Sequence, residues 1–126
     1  LSHEGGYQGA YRLMEAKADV TAIFCANDNT AIGAIKAIRE KGYRIPEDIS
    51  IIGVDDIETA QYLSPMLTTV HIPTEEMGQL AAKILIDRIN GGHRIPLKLI
   101  LPFHIAKRDT CATPARNGKT FYNSPV

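Results

Sequence analysis

Apolar residues fall along the chain in two alternating rhythms. Within 6-GYQGAYRLMEA-16, Tyr7, Ala10, Tyr11, Leu13 and Met14 recur at three- and four-residue spacing, which predicts a helix over 6–16. The run 20-VTAIFCA-26 is continuous instead and reads as a strand buried on both faces. Helical spacing returns over 29–41, with Ala31, Ile32, Ile35 and Ile38 on one face, and Gly42 stands where a left-handed residue ends a helix. A second buried strand follows at 49-ISIIGV-54, then a short helix over 57–63 stopped by Ser64-Pro65, and a third strand at 67-LTTVHI-72. Residues 75–90 carry the longest amphipathic stripe: Met77, Leu80, Ala81, Ile84, Leu85 and Ile89. Segments 97-LKLIL-101 and 103-FHIAK-107 read as late strands, and 112–126 as a polar tail.

Alternating strands and helices, with strands apolar throughout, predict an α/β fold with a parallel sheet. Three firm strands are few for a self-sufficient doubly wound sheet, so the pattern predicts a partial one, a piece of a larger domain. Composition supports a globular chain: 126 residues, 44% hydrophobic, 22% charged. Fourteen basic and fourteen acidic residues balance to zero net charge, and no basic patch points to direct contact with nucleic acid. Cys25 lies in an apolar run and Cys111 in a polar one, so a disulfide framework is not expected and a reducing, cytoplasmic setting is. No signal peptide or membrane-spanning stretch is expected.

Chemistry concentrates after two of the strands. Asn27-Asp28 follows the first and Asp55-Asp56 the second, and ligands of open α/β sheets bind beyond the carboxyl ends of the strands. An amide donates and accepts while a carboxylate only accepts, a combination suited to hydroxyl groups. The alternative is that these residues are helix caps and turn formers. A division is expected: Asp28 caps its helix and Asp56 faces a turn, leaving Asn27 and Asp55 for ligand. A phosphoryl-transfer site, with Mg²⁺ on Asp55 and Asp56 and Lys107 beside it, would need acids from two strands in an order the chain does not follow. No nucleophile elbow, phosphate-binding glycine loop or metalloprotease motif occurs. The spacing of His3, His71, His93 and His104 suggests no metal site. The chain is therefore expected to be no enzyme, with no cofactor. The cluster Tyr62, Leu63, Pro65, Met66 and Leu67 reads either as core or as an association surface.

From about Gly5 to Asp109 the chain resembles the C-terminal part of the effector-binding domain of LacI/GalR-type transcription regulators. The segments that carry the resemblance are 22-AIFCANDNTAIGAIKAIREKGYRIPEDISIIGVDD-56, 62-YLSPMLTTVHIP-73, 77-MGQLAAKILIDRI-89 and 105-IAKRD-109. It implies one part of a two-subdomain fold of the type I periplasmic-binding-protein kind, with a small effector, a sugar or less readily a nucleoside or sugar phosphate, held between subdomains. It further implies a homodimer that binds operator DNA through an N-terminal helix-turn-helix absent here. By position, Asn27 and Asp55 match polar effector contacts. Leu1 falls where an aromatic residue often stacks on ligand, a departure from the family pattern. Tyr62 and Leu63 match the dimer face. Residues 1–109 would be the domain portion and 110–126 the tail, with helix 74–90 packing on the other subdomain. Weak or no effector binding by the chain alone is then expected, with association of isolated chains through the bare helix. The alternative is part of a periplasmic sugar-binding protein serving a transporter.

Overall fold

In the computed structural model, which describes residues 1–16 and 19–114, four strands form one sheet in the order β1-β2-β3-β4. The strands are β1 (Ala22–Phe24), β2 (Ser50–Asp55), β3 (Thr68–His71) and β4 (His104–Ala106). The first three are parallel and β4 is antiparallel to β3, so the sheet is mixed rather than wholly parallel. Helices α1 (His3–Glu15) and α2 (Asp28–Glu40) precede and follow β1, and α3 (Thr74–Ile89) leaves the sheet after β3. The expected helix over 57–63 contracts to a 3-10 turn, Glu58–Gln61. The expected strand 97–101 does not form: Leu97, Leu99 and Ile100 are exposed, and nothing pairs their backbone among the described residues.

The core lies between the α1–α2 pair and one face of the sheet. Ala31, Ala34, Ala37 and Ile38 of α2 are buried against Ile49, Ile51 and Leu67, with Ala10 and Met14 of α1 behind them. Small residues set the distance between the helices. Gly6 lies on the Thr30 backbone and Gly33 on the His3 carbonyl, so closely that a Cβ at either would run into main chain. Gly42 adopts φ +82° at the end of α2, the conformation glycine takes at no steric cost.

The opposite face of the sheet is only partly covered, with Ile52, Val54 and Val70 half-buried. Phe24 is 68% exposed, so β1 is not buried on both sides as its composition suggests. Helix α3 has no buried residue: of its stripe, Ile84 is half-buried and Leu85 and Ile89 are exposed. An apolar groove of about 460 Å³ lies where Val70, Ile72 and Met77 meet Leu99, Leu101 and Phe103. Among the described residues, nothing buries the stripe of α3.

The return segment is tied in past the boundary expected at 110. Thr110, fully buried, accepts from Thr68 N–H and donates to the Ile51 carbonyl, and Ala112 N–H reaches Ser50 Oγ. The sheet-bound portion therefore runs to at least Ala112. Most of the predicted tail, 115–126, lies outside the described residues.

Candidate functional site

β1 pairs with β2 at Ala22–Ser50 through Phe24–Ile52, and β2 pairs with β3 up to Asp55–His71. Asn27 follows β1 by three residues and Asp55 is the last residue of β2, and the Asp55 and Asp56 charges both act on Asp28, next to Asn27. The two polar clusters thus meet at the carboxyl end of adjacent parallel strands, where ligands of such sheets bind. Leu1, 87% exposed, sits at the start of α1, which crosses α2 near its first turns.

The division of labour among the four polar residues differs from the sequence expectation. Asn27, not Asp28, is the N-cap of α2: its backbone is extended and its Oδ1 accepts from Thr30 N–H at 2.9 Å and from the Thr30 hydroxyl at 2.7 Å. The cap consumes the oxygen and leaves the amide NH₂ without a partner among the described residues. Asp28 is the first helical residue and is wholly buried. Its Oδ1 accepts from the Thr69 hydroxyl at 2.6 Å and its Oδ2 from Ile57 N–H at 2.9 Å. A cap would have satisfied only its own helix; this carboxylate joins α2, β3 and the loop after β2. Burial raises its pKa above the ordinary 3.8, although both hydrogen bonds work against that rise. Gly53 makes room for it, since a Cβ there would strike Asp28 Oδ1.

Asp55 and Asp56 both have positive φ, +111° and +57°. Non-glycine residues pay for that conformation, of order 1–3 kcal/mol each, and keep it only where surroundings over-determine it. For Asp56 the surroundings are visible. Its carboxylate accepts from Arg108 Nη2 at 2.5 Å and contacts His71 Nδ1 at 2.9 Å, while Arg108 Nη1 also donates to the Leu67 carbonyl. Asp56 therefore does more than face a turn: it pins β2's end to β3 and to the return segment. Burial pushes its carboxyl up, but the bonds from Arg108 and His71 together outweigh burial and hold it below 3.8. Asp55, half-buried, makes no side-chain bond to a described residue and remains a free acceptor at the strand end.

Sequence reasoning did not single out Thr69, Arg108 or His71, each of which reaches the site across the sheet from a distant part of the chain. Cys25 is buried, and burial first, then the Asp28 charge, lifts its thiol to about 11, which suits an inert core group. Lys107 is exposed. Among the described residues no three His, Cys, Asp or Glu side chains surround a common point, and no helix is long and apolar enough to cross a membrane. Tyr62 is 78% exposed, whereas Leu63 packs partly against the core.

Comparison with known proteins places this geometry. Residues 2–111 match the periplasmic binding protein-like domain. The HTH-type transcriptional repressor PurR of Photorhabdus laumondii is 49% identical over 86 residues, covering 68% of this chain and 25% of the repressor. The ribose operon repressor of Haemophilus influenzae is 45% identical over 98 residues, covering 78% of this chain and 30% of that protein. The chain thus spans about a quarter to a third of these curated relatives. Among solved structures, a LacI family transcriptional regulator from Enterococcus faecium with bound ribose superposes with a TM-score of 0.82 at 39% identity, over 89% of this chain and 41% of that one. A dimeric lac repressor with a C-terminal deletion gives 0.86 at 32% identity, over 90% and 42%. The chain belongs to the periplasmic binding protein-like domain family, as part of a LacI-type effector-binding domain.

Proposed function

We propose that this chain is the effector-sensing and dimerising part of a LacI/GalR-type transcriptional repressor, with a small polyhydroxylated molecule, a sugar foremost, as effector. The observation that carries the reading is the Asp55 carboxylate, which has no side-chain partner among the described residues and is held at φ +111° at the carboxyl end of β2, with Asn27 following the neighbouring strand β1. Strained non-glycine residues cluster at ligand and active sites, and Asp55 is such a residue. The capped Asn27 offers two N–H donors and Asp55 offers acceptors, so a hydroxyl placed between them is satisfied in both roles. By its position in the family pattern, Leu1 would add an apolar contact to the ligand.

The rest of the cleft, and the operator-binding helix-turn-helix, belong to the complete regulator. The bare stripe of α3 and the groove at Val70 and Met77 support a second subdomain docking there. The exposed Tyr62, with Met66 near it, supports a homodimer face, to which the half-buried Leu63 contributes less. A soluble cytoplasmic protein without catalysis fits this role. The relatives named above are repressors and regulators, which favours this reading over a transport receptor.

The test is calorimetric titration of the complete regulator with a panel of pentoses, hexoses, disaccharides and nucleosides, repeated with Asp55→Ala. Saturable binding of a hydroxylated ligand that weakens at least tenfold in the variant is the expected result. An effector bound equally well by Asp55→Ala would overturn the assignment. The 126-residue chain alone is expected to bind the same ligand weakly or not at all.

A further inference from the structure

Two of the four histidines, far apart in sequence, are brought face to face by the sheet. His71 ends β3, His104 begins β4, and the two are register partners across the antiparallel pair. Such partners present their side chains to the same side of a sheet, a few ångströms apart. Their rings lie 4.7 Å apart between centroids and 30° from parallel. Asp56 Oδ2 sits 2.9 Å from His71 Nδ1, and Arg108 fixes that carboxylate from behind. With Nδ1–H donated to Asp56, the lone pair of His71 is on Nε2. His104 is exposed and bonds no described residue.

We propose that His71 and His104 form a two-imidazole site for a divalent transition-metal ion of the Zn²⁺ class, oriented by Asp56. Imidazole nitrogen is a preferred donor for such ions. Zn–N bonds of about 2.0–2.1 Å at a tetrahedral angle need donor nitrogens about 3.3 Å apart. With centroids 4.7 Å apart the rings are close enough for that, once the exposed His104 ring turns to aim a nitrogen at the ion shared with His71 Nε2. A carboxylate on the far nitrogen of a ligating histidine fixes its tautomer and raises its basicity, the part Asp56 plays here. With no third His, Cys, Asp or Glu around the point among the described residues, water fills the remaining positions and binding is reversible. The site lies where the chain leaves the sheet for α3 and where it returns, and His71 is also the register partner of Asp55. A bound ion would clamp the outgoing and returning segments together beside the effector contact. Without an ion, the rings lie tilted against each other across the strands.

The test is titration of the 126-residue chain with Co²⁺ and Zn²⁺ at mildly alkaline pH, followed by visible absorption and calorimetry, for the parent and for His104→Ala, Asp56→Asn, His3→Ala and His93→Ala. The parent is expected to take up one ion per chain, with d–d bands of nitrogen and oxygen coordination and no thiolate charge-transfer band. His104→Ala should weaken binding at least tenfold and Asp56→Asn about tenfold, with His3→Ala and His93→Ala unchanged. Asp56→Asn also loosens the Arg108 clamp, so His104→Ala is the decisive variant, an exposed position whose loss spares the fold. Absence of saturable uptake by the folded parent, uptake that survives His104→Ala, or a thiolate band would overturn the proposal.

Discussion

Replacing Asp28 with alanine tests whether one buried carboxylate holds the site's three elements together. The substitution leaves the Thr69 hydroxyl, which is fully buried, without its acceptor, at a cost of about 1–3 kcal/mol. Ile57 N–H is only part-buried and can recruit water, so its loss is worth about 1 kcal/mol. An acid in the first turn of α2 contributes about 0.5 kcal/mol more through the helix dipole. Against these stands the relief of a desolvated charge, whose cost shows in the raised pKa. The net loss is about 2–4 kcal/mol, a large share of the ~5–15 kcal/mol that separates a folded domain from its unfolded chain. In urea, with a slope of about 1–2 kcal/mol per molar, the unfolding midpoint should fall by roughly 2 M. Asp28→Asn separates charge from hydrogen bonding, because its oxygen can accept from Ile57 and its amide can donate to the Thr69 oxygen. A raised folded pKa means the native state holds its proton longer than the unfolded chain does. The ionised Asp28 therefore costs stability that accrues as pH rises from 3.8 through the folded value. The difference between Asp28→Asn and the parent should accordingly shift in favour of asparagine over that interval and stay constant above it. An Asp28→Ala midpoint within about 0.3 M of the parent, read by far-UV circular dichroism, would refute the reasoning.

Asp55→Gly should stabilise the chain by about 1 kcal/mol by relieving the positive φ, while effector affinity in the complete regulator collapses; a destabilised variant would show that Asp55 has a structural partner. Arg108→Met should cost about 3 kcal/mol, since it strands a carboxylate that is 12% exposed, and Arg108→Lys should recover only part because one ammonium cannot serve both Asp56 and the Leu67 carbonyl in the same geometry. Asp56 has a lowered folded pKa, so its stabilisation is complete above 3.8 and is lost as pH falls through the folded value. The acid limb of the stability profile should therefore flatten in Arg108→Met. Gly33→Ala should force α1 away from α2 and cost about 1–3 kcal/mol in thermal or urea unfolding, whereas Gly9→Ala, which meets open space, should be neutral or stabilising. Sedimentation velocity of the isolated chain should show concentration-dependent association that Leu85→Lys with Ile89→Lys abolishes, these two residues being 59% and 73% exposed on α3; a monomer at high concentration would count against it.

The hydrophobic pattern by itself determined most of the element order, because periods of two and 3.6 are properties of the backbone and need no partner. Helices over 6–16, 29–41 and 75–90 and strands near 22–24, 50–55 and 68–71 are legible on that ground, as are the polar clusters that follow two of the strands, while the adjacency of those strands came from the β1–β2 pairing. The apolar run 97–101 suggests a strand that does not form, because such a run encodes a tendency to be buried and not a pairing partner. The same reason explains why Phe24 reads as buried and is exposed. The roles of the acids were decided by tertiary structure alone. Whether Asn27 or Asp28 caps α2 depends on where β3 places Thr69, 41 residues away, and the fate of Asp56 depends on Arg108, 52 residues away. Local spacing also keeps His71 and His104 apart, and only the turn of β4 against β3 sets their rings together. A side chain's chemical type is written in the sequence; its hydrogen-bond partner is fixed when strands that are remote in sequence take their register.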